Sequence, residues 1–162
     1  MNFFKVTALS LLFLFSTLAV ANDYKNYIGK IVPPYPKSHV EINGYLINDR
    51  NSNYAVFMTE KNNLQYFWLN KEVARKNNNE NPIWKTLDIL VITKLQKSYF
   101  YALGSCQLNQ KLNDKIIALV KYEESKQWLN QVKKAWLVNI KQEKIEIITP
   151  EGISCANESW GE

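Results

Sequence analysis

Three apolar runs decide the fold: VEINGYLIN (residues 40–48), YAVFMT (54–59) and LQYFWL (64–69). Each is as long as a typical strand and rich in β-branched and aromatic residues. The segments between them, Asp49–Asn53 and Glu60–Asn63, are polar and rich in Asn, which tolerates the left-handed conformation of tight turns. Strand, turn, strand, turn, strand is the pattern of an antiparallel meander. Gly44 within the first run points to a bulge or a close approach of a neighbour.

The same reading extends downstream. WKTLDILVIT (84–93), YFYALGSCQL (99–108) and IIALVKY (116–122) read as strands. The polar segments at 76–82 and 107–115 read as loops. Ala135–Ile140 and Lys144–Thr149 read as a hairpin stopped by Pro150 and Gly152. Between them the period changes. Trp128, Leu129, Val132, Ala135 and Trp136 follow the spacing of one helix face, with Ser125 placed to cap it. Upstream, Pro33, Pro34 and Pro36 force extended backbone, so residues 22–38 read as a segment draped on the domain. Without alternating strand and helix, a parallel α/β fold is not expected. The expected fold is α+β and β-rich. It is an antiparallel curved sheet or partly closed barrel of about seven or eight strands, with one short helix near 125–133.

Residues 1–21 read as a signal peptide. Lys5 precedes an uncharged apolar run of 15 residues, Val6 to Val20, and Ala19 and Ala21 supply small residues before a cleavage site between Ala21 and Asn22. The run is shorter than the roughly 20 residues that span a bilayer, so no stable membrane span is expected after cleavage. Residues 22–162 are then a single exported globular domain, periplasmic or extracellular. In such a compartment Cys106 and Cys155 are expected to form one disulfide that ties the C-terminal tail to the strand ending near Cys106.

Composition removes several function classes. The chain has 162 residues and a net charge of +5, but all of its 20 basic residues except Arg50 and Arg75 are Lys. They are scattered, whereas nucleic-acid sites favour the bidentate Arg fork, so no nucleic-acid partner is expected. Two Cys and one His exclude a Cys₄ zinc site and a self-contained iron–sulfur cluster. No phosphate loop, calcium loop or nucleophile elbow is present, and neither cofactor nor metal is expected. Asn157-Glu158-Ser159 matches a glycosylation sequon and carries no weight alone.

The candidate chemistry is sparse. His39 lies in a polar loop and reads as a surface residue; as a general base it would act with a carboxylate such as Glu41, and the sequence places no nucleophile beside it. Asp88 shares a strand face with Leu90 and Ile92, where a carboxylate needs a partner. Glu123-Glu124 and Glu143 with Glu146 read as solvated faces. Aromatic side chains make the better surface. Tyr66-Phe67-Trp68 and Tyr99-Phe100-Tyr101 each place neighbouring rings on opposite sides of a strand. Tyr66, Trp68, Tyr99 and Tyr101 are thus the candidate binding residues, suited to an envelope protein, a peptide or a glycan. The functional expectation is an exported, non-enzymatic binding, accessory or inhibitor-type domain. The rival is a small exported hydrolase using His39 with Asp88 or a Glu.

Overall fold

A computed structural model of the chain describes residues 24–49, 52–74, 81–93 and 98–160. The segment read as a leader, its cleavage site at Ala21 and Asn22, and most of the loop at 76–82 lie outside the described residues. Among the described residues the regular structure is thirteen β-strands and one 3-10 turn, Lys25–Tyr27. Every strand pairing is antiparallel.

The first sheet contains β1 (Ile31–Val32), β2 (Val40–Asp49), β3 (Ser52–Lys61), β4 (Leu64–Ala74) and β5 (Ile83–Thr93), in the order β1-β5-β4-β3-β2. The meander expected from residues 40–69 is present, and Asn62 and Asn63 turn it at φ of 50° and 60°. Gly44 fits both of its expectations. A register shift lies beside it between Glu41 and Asn43, and a Cβ on it would come within 2.7 Å of the Phe57 ring.

The rest of the chain moves between two smaller sheets. Its strands are β6 (Tyr99–Leu103), β7 (Cys106–Leu108), β8 (Lys111–Asn113), β9 (Ile116–Lys121), β10 (Trp128–Leu129), β11 (Val132–Asn139), β12 (Lys144–Ile148) and β13 (Ile153–Ala156). The second sheet has the order β12-β11-β9-β6, and the third β10-β13-β7-β8. Together the sheets make a curled, antiparallel half-barrel.

The second sheet is the middle layer. Tyr101, Ile117, Leu119, Trp136 and Val138 face the first sheet, where Ile47, Val56, Phe67 and Leu69 complete the larger core. On its other side, Ala102, Ala118 and Ala135 sit in register across β6, β9 and β11. This row of small side chains lets the third sheet approach, and Leu129, Ile153 and the two Cys close the second core on it. Cys106 and Cys155 are register partners on β7 and β13 and form the disulfide.

Two expectations are corrected here. There is no helix at 125–133; the segment carries β10 and the start of β11. The apparent helical stripe arises because β11 is covered on both sides. Ala135 packs toward the third sheet and its neighbour Trp136 toward the first, so two consecutive residues are buried. A register shift between Val132 and Lys134 further displaces the phase. The strand count is also higher than seven or eight. The run at 99–108 breaks at Gly104 (φ 69°), where the chain leaves the second sheet for the third. A Cβ there would lie 2.6 Å from the Tyr45 ring, so the corner needs glycine both for its backbone and for its neighbour. The polar connection at 107–115 holds the β7–β8 hairpin, turned by Asn109 and Gln110, both at positive φ.

Candidate functional site

β2 ends the first sheet and β6 ends the second, and no pairing joins them. At one end the gap is closed by Tyr45 against Gly104. Residues of both edges line a cleft of about 990 Å³. This volume lies at the upper end of the range for ligand sites. Tyr45, Met58 and Gln65 reach it from the first sheet, and Tyr99, Tyr101 and Leu103 from β6. Asn43, Ser98, Tyr122 and the segment Asn157–Ser159 complete its rim.

The polar groups in this cleft distinguish it from an ordinary seam between sheets. Tyr45 Oη, Gln65 Oε1 and Tyr101 Oη are all buried and all lack a hydrogen-bond partner. Gln65 and Tyr101 are each only 8% exposed. An unsatisfied buried polar atom costs roughly 1–3 kcal/mol, so native folds hold few of them. Three of the five such atoms among the described residues belong to side chains that line this cleft. Burial pushes the Tyr101 phenol up to about 12. Burial raises Tyr45 as well, helped by the negative charge of Asp114. Both hydroxyls therefore stay protonated and able to donate, while the Gln65 carbonyl oxygen accepts. Among the described residues that line the cleft, Glu158 is the only charged one.

The residues named from sequence separate into two places. Tyr99 and Tyr101 line the cleft. Tyr66 and Trp68 face the opposite side of the first sheet, where they are 1% and 0% exposed. Tyr24, Tyr27 and Tyr35 of the N-terminal segment cover them, and Tyr66 donates a hydrogen bond to the Tyr24 hydroxyl at 3.0 Å. Gln65 and Tyr45 were not anticipated from sequence. Gln65 had a usable signal: it is a polar residue inside the apolar run LQYFWL, on the face shared with Phe67 and Leu69.

His39 belongs to the covered side. Its ring packs at 4.5–5.6 Å from the Tyr24, Tyr66 and Trp68 rings, and its Nδ1 shares a 2.9 Å hydrogen bond with Thr59 Oγ1. Trp68 Nε1 donates to the same oxygen at 2.8 Å. Burial, and secondarily the charge of Lys61, pushes the imidazole below its ordinary value. The unfolded chain thus takes up a proton near pH 6.5 that the folded chain refuses. The His39 contribution to stability is complete above that pH and is lost as the pH falls toward the depressed folded value. Urea midpoints should fall between about pH 7.5 and 5.5, and His39→Gln should flatten that slope. An identical slope in the variant would show that the ring is not held in its neutral form.

Asp88 lies on the inner face of the first sheet, in register with Leu69, and accepts a 2.8 Å hydrogen bond from the Ile145 backbone N–H. Its carboxylate thus links β5 to β12 and lies on the face opposite His39. The other carboxylates make local links. Glu143 pairs with Lys71 at 3.0 Å, Glu146 accepts from Asn139, and Glu123 accepts from Gln131. Asn157 donates to the carbonyls of Glu123 and Lys126, so its amide is committed to holding the tail against the 123–126 turn. Among the described residues, no group of three or more His, Cys, Asp or Glu could hold a metal ion, and no helix is long and apolar enough to cross a membrane. No protein-family model, curated protein or solved structure matches the chain.

Proposed function

We propose that the protein is an exported, non-enzymatic binding domain of accessory or inhibitor type, and that its ligand occupies the cleft between β2 and β6. The observation that carries this reading is the trio of buried, unpartnered polar atoms on Tyr45, Gln65 and Tyr101. Free energy spent on leaving such groups bare in the unliganded fold is recovered when a ligand supplies their partners. The apolar rings beside them offer contact area, and the few convergent polar groups orient what binds, as is general for ligand sites. The disulfide is compatible with export to an oxidising compartment, as the leader-like N-terminus suggests. An aromatic, nearly uncharged cleft suits a peptide, a glycan or an envelope protein rather than a polyanion.

The test compares substitutions in the free protein. Tyr101→Phe and Tyr45→Phe each remove a hydroxyl that has no partner, so unfolding free energies should stay level or rise by up to about 1 kcal/mol. Thr59→Val removes the partner of both Trp68 and His39 and should cost about 1–3 kcal/mol. Denaturant titrations read all three. If either Phe variant loses more than about 1.5 kcal/mol, the phenols are already satisfied in the free protein and the site reading fails.

A further inference from the structure

Resting on the cleft as the binding site, we propose that its ligand is an extended polypeptide segment that joins β6 as a fifth strand of the second sheet. The backbone of β6 argues for this. Tyr122 N–H donates to the Ser98 carbonyl and Gly104 N–H to the Ile116 carbonyl, while Phe100 and Ala102 are in register with Val120 and Ala118. Residues 98, 100, 102 and 104 therefore turn their peptide groups toward β9. Alternation along the strand turns those of Tyr99, Tyr101 and Leu103 the other way, toward the cleft. β6 pairs with β9 alone, and no described residue bonds the outward groups of these three. They present three donors and three acceptors at the spacing that a neighbouring strand requires.

Comparison with the other sheet ends sets β6 apart. Folded proteins blunt such ends with charge, proline, bulges or brevity. β1 and β10 are two residues long, and Pro33 and Pro34 follow β1. β8 is three residues with Lys111, and β12 carries Lys144 and Glu146. β2 carries Glu41 and a register shift. β6, with the sequence YFYAL, has none of these devices. Its protection is its position in the cleft, between Asn43–Tyr45 of β2 and Asn157–Ser159. A cleft of about 990 Å³ is of the size that takes a short segment, whereas a second folded copy would bring a whole sheet with it. Five residues of strand span roughly 17 Å, which sets the length of the segment. Glu158 at the rim favours a basic residue at one end. The partner is thus a protein with an exposed, extended segment, uncharged at its centre and basic at one end.

The experiment uses the disulfide-intact protein and a random heptapeptide display library, from which the tightest peptide is synthesised. Its six backbone amides are then N-methylated in two alternating sets of three. Strand addition predicts that one set weakens binding at least 100-fold and the other less than fivefold. It also predicts that bound peptide slows amide hydrogen exchange at Tyr99, Tyr101 and Leu103 at least tenfold. Equal effects of the two sets, or unchanged exchange at those three amides, would overturn strand addition. A panel of oligosaccharides (chitohexaose and maltohexaose) runs alongside. If a sugar but no peptide shifts the NMR signal of the Gln65 side-chain amide, the cleft is a binding site and the peptide proposal is wrong. Self-association that protects the same amides would make a second copy the occupant and overturn the proposal. If neither peptide nor sugar binds and the protein stays monomeric, the binding reading falls with it.

Discussion

Replacing both cysteines, Cys106→Ala with Cys155→Ala, should lower the unfolding free energy by about 4 kcal/mol. The bridge joins residues 49 apart, and constraining a loop of that size in the unfolded chain is worth roughly that amount in the chain-entropy account. Small single domains hold about 5–15 kcal/mol in total, so the double variant should sit near the edge of folding. Position adds to the effect. Both residues are 0% exposed and pack on the alanine row of the second sheet, so losing two sulfurs also opens space in that core. The loss should be concentrated in the third sheet. β13 pairs with β7 and β10, and Asn157 just beyond it holds the turn at 123–126. Hydrogen exchange should therefore speed up first at 106–113 and 153–157, before the first sheet responds. A double variant that loses less than about 1 kcal/mol would mean that the third sheet is held by its packing alone.

The bridge was legible from sequence because it needed only a count of Cys and the reading of residues 1–21 as a leader. The meander at 40–69 was legible because Asn-rich turns punctuate runs of strand length. What was illegible shares one cause, which is coverage by parts of the chain distant in sequence. The YFW of β4 and the YFY of β6 look alike, yet residues 24–39 bury Tyr66 and Trp68, while Tyr99 and Tyr101 line the cleft. Nothing within either triplet states which face is covered. The segment at 125–133 failed in the same way. Period 2 marks a strand only when one face is wet, and β9 and β11 are packed on both faces; Ile116 to Val120 are buried without a break. The cleft was the least legible feature, because it exists where two strand edges fail to meet. Gln65 and Tyr45 acquire their importance from that gap, not from any local motif.

The contrast between the two aromatic triplets has a measurable consequence. Trp68→Ala should cost about 3–5 kcal/mol, the range for removing a fully buried large ring. Trp68 is 0% exposed and is met by Tyr27, Tyr35 and His39 at centroid distances of 6.1, 5.2 and 5.6 Å. Its indole N–H satisfies Thr59 Oγ1, which in turn anchors His39. Truncation therefore removes the floor on which the N-terminal segment rests, leaving it held by the two-residue β1 pairing to β5 and by the Gly29 and Lys30 backbone bonds to Thr86 just before it. Trypsin should cut at Lys25, Lys30 and Lys37 well before the domain unfolds, because local opening needs less free energy than global opening. Tyr99→Ala, by contrast, should cost less than Trp68→Ala and leave those sites protected, since a ring beside an open cleft gives up fewer contacts. The comparison has force in both directions. A Trp68→Ala protein within about 1 kcal/mol of the parent, with its N-terminal segment still resistant, would mean that Tyr24, Tyr27 and Tyr35 do not cover that face in solution. Tyr66 and Trp68 would then form an exposed aromatic surface, and the binding site would have to be sought there rather than in the cleft.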